Sequence, residues 1–474
     1  MNRYKKLGKN FILMILGNFA SKVMSFLLIP FYTAILTTAE YGTADLITTT
    51  IELLIPFFTL LMSEAVLRFA LEKGQDKAEV FASGIAVTCI GLLVFLVMSP
   101  IVCLFDQIGE FYWWFVIYFF VSSIQMIFAY FTRGIEKTGI YSISGMIQTA
   151  SFLLANILFL SVFKMGITGY LLSSILSCGI SAMYLFFSAR MYQYCRWKSI
   201  NKDIIHKMIK YAAPMIPNSL SWWISNSSDK YVLTFFLGVA ETGIYSISQR
   251  IPSFLATVST IFMGAWNISA VEDFGSQENC KFFSDIYRKY SMLNIIMVSA
   301  ALCITKPLAR FLFSDEFFRG WINVPLLLFA FLFHAMSGFL GSVYTAAKKT
   351  RMIFASTLIA AATNIALNFA FIPYLGGIGA ALATFISYFL IWAIRLWDSR
   401  RIICLDIDFK RDVIGYIFLA LQVTLLWIDG GWLFTIGLWL LLLGILVLFR
   451  KGLLQIAAVM MQKIRAIKPA SKNT

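Results

Sequence analysis

Stretches of mostly apolar residues, broken by short charged or turn-rich segments, recur along the whole chain. They lie near 10–36, 43–68, 81–105, 111–132, 140–163, 167–189, 211–237, 244–270, 290–313, 322–346, 352–372, 378–397, 412–428 and 433–449. A helix crosses the hydrocarbon core of a bilayer with about 20 such residues, and in lipid only helices or closed barrels satisfy their backbone polar groups. The pattern predicts an all-α integral membrane protein of about 14 transmembrane helices. The first stretch follows Arg3, Lys5, Lys6 and Lys9, as in a signal peptide. Its apolar run is too long for that role and no small-residue cleavage site follows, so it reads as a retained first helix.

Composition agrees and narrows the function. Apolar residues make up 59% of the chain and charged residues 13%, against about 45–50% and 25% in soluble domains. A cytosolic enzyme, a secreted disulfide scaffold and a disordered chain are excluded. The seven cysteines include no CxxC pair, and His206 and His334 lie far apart, so no metal site is indicated.

The net charge of +15 would suit nucleic acid, but its placement explains it otherwise. Of the 39 Lys and Arg residues, about 31 fall at the two ends of the chain and in alternate loops. This asymmetry places both termini and the basic loops in the cytoplasm, with membrane lipids and not nucleic acid as their partner. The opposite loops, near 37–42, 106–110, 164–166, 238–243, 314–321, 373–377 and 429–432, are too short to carry an external catalytic apparatus. No enzymatic activity is expected.

The two halves repeat. Ala39-Glu40-Tyr41-Gly42, between spans 1 and 2, recurs as Ala240-Glu241-Thr242-Gly243 between spans 7 and 8. Lys137-Thr138 matches Lys349-Thr350, Asn156 matches Asn368, and Gly166-Ile-Thr-Gly169 aligns with Gly376-Gly-Ile-Gly379. In order and in register, these predict a six-plus-six duplication with two spans added. The divisions are an N-lobe at 1–190, a basic linker at 191–210, a C-lobe at 211–397, and a final segment at 398–474. Parallel repeats of this kind are a transporter architecture, with the substrate held between the halves.

Ionisable residues within spans are expensive and therefore candidates for a pathway. Lys22 lies in span 1, either facing a water-filled cavity or paired with Glu52 of span 2. Asn226, Asp229 and Lys230 share one face of span 7 by their i, i+3, i+4 spacing. Arg250 in span 8 stands at similar depth, with an Asp229–Arg250 ion pair as the structural alternative to a cavity role. Glu64 and Arg68 read as a local i,i+4 pair. Asn364 and Asn368 share a face of span 11, as interhelical glue or as ion ligands. Trp222-Trp223 could line a sugar path, although packing explains them as well. Several cations facing a lumen favour an anionic substrate. A diphosphate cannot cross hydrocarbon unaided, and outward export of negative charge gains about 2.3 kcal/mol per charge per 100 mV, inside negative.

The stretch from Tyr211-Ala-Ala-Pro-Met-Ile-Pro-Asn through Ser227-Ser-Asp-Lys-Tyr231 resembles the start of the second lobe in bacterial Wzx-type polysaccharide repeat-unit flippases. So does its continuation, Phe236-Leu-Gly238 through Gly243-Ile-Tyr-Ser246 to Pro252. Gly17-Asn-Phe-Ala-Ser-Lys22, Pro30-Phe-Tyr-Thr33 and Glu40-Tyr-Gly42 look like their first lobe. These flippases form the oligosaccharide-exporter branch of the multidrug/oligosaccharidyl-lipid/polysaccharide superfamily. The resemblance implies a V-shaped bundle of two six-helix lobes, alternating access, and an undecaprenyl-diphosphate-linked oligosaccharide as cargo. It implies cationic substrate contacts at Lys22, Arg68 and Arg250, to which Lys230 is added from its position. It also implies an ion site near Asp229, Asn226, Asn364 and Asn368, although span 11 here lacks an aspartate. Expected with it are no cofactor beyond coupling to Na+ or H+ and the membrane potential, a monomer in the bacterial inner membrane, and polysaccharide polymerase or assembly proteins as partners. The rival on the same fold is a multidrug/cation antiporter, which would be expected to show an acidic cavity.

Overall fold

The computed structural model describes residues 23–24, 26–272, 274, 279–349, 351–428, 430–455 and 458. Among them every regular element is a helix and no strand occurs. The spans beyond the first are the helices α2 Thr38–Phe58 with α3 Met62–Ala70, α4 Lys77–Met98, α5 Tyr112–Gly134, α6 Thr138–Asn156, α7 Gly166–Ser188, α9 Ile216–Leu237, α10 Val239–Ser248 with α11 Arg250–Glu272, α12 Asn279–Leu312, α13 Val324–Ala346, α14 Arg351–Ser399, α15 Phe409–Ile428 and α16 Trp432–Leu448. A short α1 at Ile29–Ile35 is the described part of span 1, and α8 at Lys202–Ala212 lies between the halves.

Among the described residues eight helices are long and apolar enough to cross a membrane alone, and the α2–α3 pair makes a ninth. The long α14 holds two of the expected spans, since Gly376 at φ +58° breaks its helical path. Helices α9 and α11 fall short by composition because they carry serines, asparagine and charge. Polar content lowers their apolarity for a reason that the site explains.

The described chain groups into two compact units. One comprises 1–257, 311–320 and 361–380, the other 258–310, 321–360 and 381–474. In the first unit, α2 begins at a capping box: Thr37 Oγ1 accepts from the Glu40 N–H at 3.2 Å, and Glu40 Oε2 accepts from the Thr37 N–H at 2.9 Å. Pro56 and the left-handed Leu60 and Leu61 end it, so α3 leaves at 59°. The segment expected to be a linker folds as well. Asn201 caps α8, which is amphipathic and buries Ile204, Met208 and Ala212 in a core with Val66, Phe81 and Phe131.

The repeated motifs have backbone counterparts. A Cβ on Gly42 would strike the Val239 carbonyl oxygen, and one on Gly243 would strike the Thr38 carbonyl oxygen. Those four residues are two pairs at one offset in sequence, so α2 and α10 cross reciprocally, backbone against backbone. Later turns repeat too. Glu136 and Lys348 both take left-handed φ, at 61° and 58°. The next residue's N–H then reaches back five residues, Lys137 to Thr132 and Lys349 to Tyr344.

In the second unit a buried arginine ties one helical segment to its neighbours. Arg395 Nε donates to Ser356 Oγ at 2.9 Å, Nη1 to the Ser337 carbonyl at 3.0 Å and Nη2 to Thr357 Oγ1 at 2.9 Å. Each of the three guanidinium nitrogens thus meets a neutral acceptor.

Two outcomes follow. Gly42→Val or Gly243→Val forces the crossing apart and costs about 2–3 kcal/mol, read as a lowered thermal midpoint in detergent, whereas Gly338→Ala, with open space around it, stays near wild type. Arg395→Lys keeps the charge but not the fork, and its loss on the order of 2 kcal/mol is read in the same melt.

Candidate functional site

The glycine crossing decides which side chains meet. One turn beyond Gly42 and Gly243 stand Asp45 and Ser246, which hold equivalent places in the repeat, and Ser246 Oγ donates to Asp45 Oδ2 at 2.8 Å. Lys230 of α9 donates from Nζ to the same oxygen at 2.6 Å. Arg250, at the start of α11, reaches Oδ1 through Nη2 at 3.4 Å and gives Nε to the Tyr41 hydroxyl at 3.0 Å. One carboxylate therefore gathers two cations and a hydroxyl. The Asp45 and Lys230 side chains are each only 10% exposed, while Arg250 keeps 40%.

These groups line a cavity of about 240 Å³, with Thr48, Thr49, Glu52, Ser227, Gln249 and Ser253 as the remaining wall. Hydroxyls and an amide surround the charges, so every lining residue carries a polar or charged group. Its ionic lining is balanced, with Asp45 and Glu52 against Lys230 and Arg250. Separating such charges at low dielectric is costly, and removing one partner of a buried pair costs about 3–5 kcal/mol.

The expected residues fare differently. Lys230 and Arg250 come together, and Glu52 joins their cavity. Lys22 lies outside the described residues, and with it the Lys22–Glu52 pair. The expected Asp229–Arg250 pair is not the one formed. Arg250 turns to Asp45, while Asp229 Oδ2 accepts from Gln249 Nε2 at 3.2 Å and Oδ1 from the Lys230 N–H at 2.9 Å. Asn226 is exposed and gives its amide to the Trp222 carbonyl of its own helix at 2.7 Å, apart from buried Asp229 and Lys230. Arg68 is an exposed residue of α3 paired with Glu72 at 3.0 Å, in place of the expected Glu64.

Asn364 and Asn368 are buried and bonded to each other, Asn368 Nδ2 to Asn364 Oδ1 at 3.0 Å, and Ser228 Oγ joins the same oxygen at 3.1 Å. Through Asn364 the pair bridges α14 to α9. Trp223 Nε1 donates to the Thr49 carbonyl at 2.9 Å and so fastens α9 to α2.

Asp45 is the charged residue of the cluster that the intramembrane reading missed. The signal was present: extending the Ala39–Gly42 repeat by three residues sets Asp45 against Ser246 in the second copy.

The cluster predicts an ordering of stabilities. Asp45→Ala leaves two cations uncompensated and should lose about 3–5 kcal/mol. Asp45→Asn combined with Lys230→Met should melt closer to wild type in detergent, because the charge is removed from both sides.

The model of the polysaccharide biosynthesis protein family matches residues 7–266, a range containing Asp45, Lys230 and Arg250. An uncharacterised membrane protein of Methanocaldococcus jannaschii is 21% identical over 306 residues, which cover 60% of this chain and 58% of that protein. The chain thus spans less than two thirds of the length of that relative. The fold resembles the lipid II flippase MurJ in an inward-closed conformation, with a TM-score of 0.69 at 15% identity over 93% of this chain and 100% of that one. It also resembles the Vibrio cholerae MATE transporter VcmN, with a TM-score of 0.58 at 16% identity over 84% of this chain and 98% of the other. The chain is a multi-pass membrane protein belonging to the polysaccharide biosynthesis protein family.

Proposed function

We propose that the chain flips undecaprenyl-diphosphate-linked oligosaccharide repeat units from the inner to the outer leaflet of a bacterial cytoplasmic membrane, for surface polysaccharide assembly. The carrying observation is the grip of Lys230 and Arg250 on a single buried carboxylate beside a polar cavity. Asp45 stands there as an internal anion in the place a phosphate could take. A diphosphate offers more acceptor oxygens than one carboxylate and can draw both cations without leaving either unpaired. Lys22 completes the cationic set on this reading, with Arg68 meeting headgroups at the cytoplasmic entrance. The lipid tail would stay in the bilayer while the diphosphate passes.

Movement would come from the repeats at 1–190 and 211–397 rocking against each other, with both termini cytoplasmic. The membrane potential favours the outward step by about 2.3 kcal/mol per negative charge per 100 mV. Coupling to Na+ or H+ would use the Asp229, Asn364 and Asn368 region, where Asn368 Oδ1 has no hydrogen-bond partner among the described residues. The resemblance to MurJ, itself a lipid II flippase, supports this reading at the level of fold. On it the chain is a monomeric carrier without enzymatic chemistry, working beside polymerase or assembly proteins.

The balanced charge of the cavity keeps a second reading in play, a MATE-like multidrug/cation antiporter in which Asp45 and Glu52 receive the cargo. Reconstituted liposomes separate the two. The flippase reading expects translocation of a lipid-linked diphosphate oligosaccharide that falls more than about tenfold in Arg250→Ala. It also expects loss of surface polysaccharide in Lys22→Ala and Arg250→Ala strains, with the protein still present in the membrane. Proton- or sodium-driven efflux of a cationic dye, without lipid translocation, would overturn it.

A further inference from the structure

The repeat supplies an internal control for a different place, the basic-loop end of the second unit. In the first copy, the turn after α5 sends Lys137 Nζ to the Ala189 carbonyl at 2.8 Å, closing the C-terminal end of α7. The second copy makes the same turn, with the Lys349 N–H on the Tyr344 carbonyl at 2.9 Å. Yet Lys349 makes no such side-chain bond among the described residues. It lines an open cavity of about 420 Å³ together with Arg351, Arg401, Tyr344 and Asp398.

Two of the three cations, Arg351 and Arg401, are additions of the second copy. By the Lys137/Lys349 match, Gly139 stands where Arg351 is. By the Gly166/Gly376 match, Met191 stands where Arg401 is and Ser188 where Asp398 is. The one carboxylate is already engaged: the Tyr344 hydroxyl donates to Asp398 Oδ2 at 3.0 Å, and Arg401 Nη1 lies 3.9 Å from Oδ1. Lys349 and Arg351 have no ion-pair partner among the described residues. Three cations against one engaged carboxylate call for an anion.

The surroundings name its source. The floor is apolar, formed by Met352, Ala355 and Ile402. Leu358 and Ile359 continue it along α14 as exposed side chains. Trp397, 64% exposed, stacks under the Arg401 guanidinium with the carbon 4.8 Å from its ring centroid, an arrangement typical of a membrane interface. We infer that this cavity seats the phosphate of an anionic membrane lipid in the leaflet beside the basic loops, held by Lys349, Arg351 and Arg401 with an acyl chain lying along α14. The inference is independent of the cargo proposed above.

Native mass spectrometry of the purified full chain, given equal phosphatidylglycerol and phosphatidylcholine, tests it. Phosphatidylglycerol should be retained selectively, and Arg351→Ser with Arg401→Ser should weaken it by roughly fivefold per cation removed. Lys207→Ser with Lys210→Ser, the same charge change on α8, should leave retention unchanged. If the double variant is not recovered folded, Lys349→Ser alone carries the test, with roughly a fivefold loss. Equal retention of both lipids, or undiminished retention in the variants, overturns the site. Inorganic phosphate at matched ionic strength should not raise the thermal midpoint; a rise equal to that given by phosphatidylglycerol would make the ligand a soluble anion and overturn the lipid.

Discussion

The arrangement around Asp45 depends on two helices touching through bare backbone. Only where Gly42 and Gly243 remove both Cβ atoms can α2 and α10 come close enough for residues a turn away to share a cavity. At a wider crossing, the short side chains of Asp45 and Ser246 would not reach each other, and the Lys230 ammonium would be left buried without its carboxylate. The close approach is therefore the condition for charge inside this unit. It also explains why helices α9 and α11 can afford polar faces that make them weak spans by composition alone.

Much of this was legible in the chain. Hydrophobic spacing carried the helices, and the two basic residues Lys230 and Arg250 stood out because an ionisable group in a span has few neutral explanations. The repeated Ala-Glu-Tyr-Gly and Ala-Glu-Thr-Gly turns marked the crossing before any geometry was known. What failed was partner choice. Periodicity fixes which residues share one helix face, but not how far a neighbouring helix is rotated, so the alternative of an Asp229–Arg250 pair gives way to Asp45, supplied by a third helix. Asp45 also sits near the N-terminal end of its span, where a carboxylate reads as interfacial.

Arg68 shows the same limit at short range. Glu64 and Glu72 lie equally four residues away, and the more favourable helical order, acid before base, points to Glu64. The structure selects Glu72. Tertiary surroundings settle a local degeneracy of a few tenths of a kcal/mol with ease.

The repeats diverge in a way that separates scaffold from adaptation. The glycines at the crossing and the left-handed turns before Lys137 and Lys349 are backbone requirements, and both copies keep them. Charge follows no such rule. The first copy contributes Asp45 where the second has Ser246, and the second adds Arg351 and Arg401 where the first has Gly139 and Met191. A duplicated fold whose copies share backbone constraints can vary its charges one copy at a time, because an ionic side chain at a preserved crossing changes what is bound without changing how the helices meet. That asymmetry is what turns one crossing of two equivalent helices into a buried ion cluster, with its cations drawn from the second copy and its carboxylate from the first.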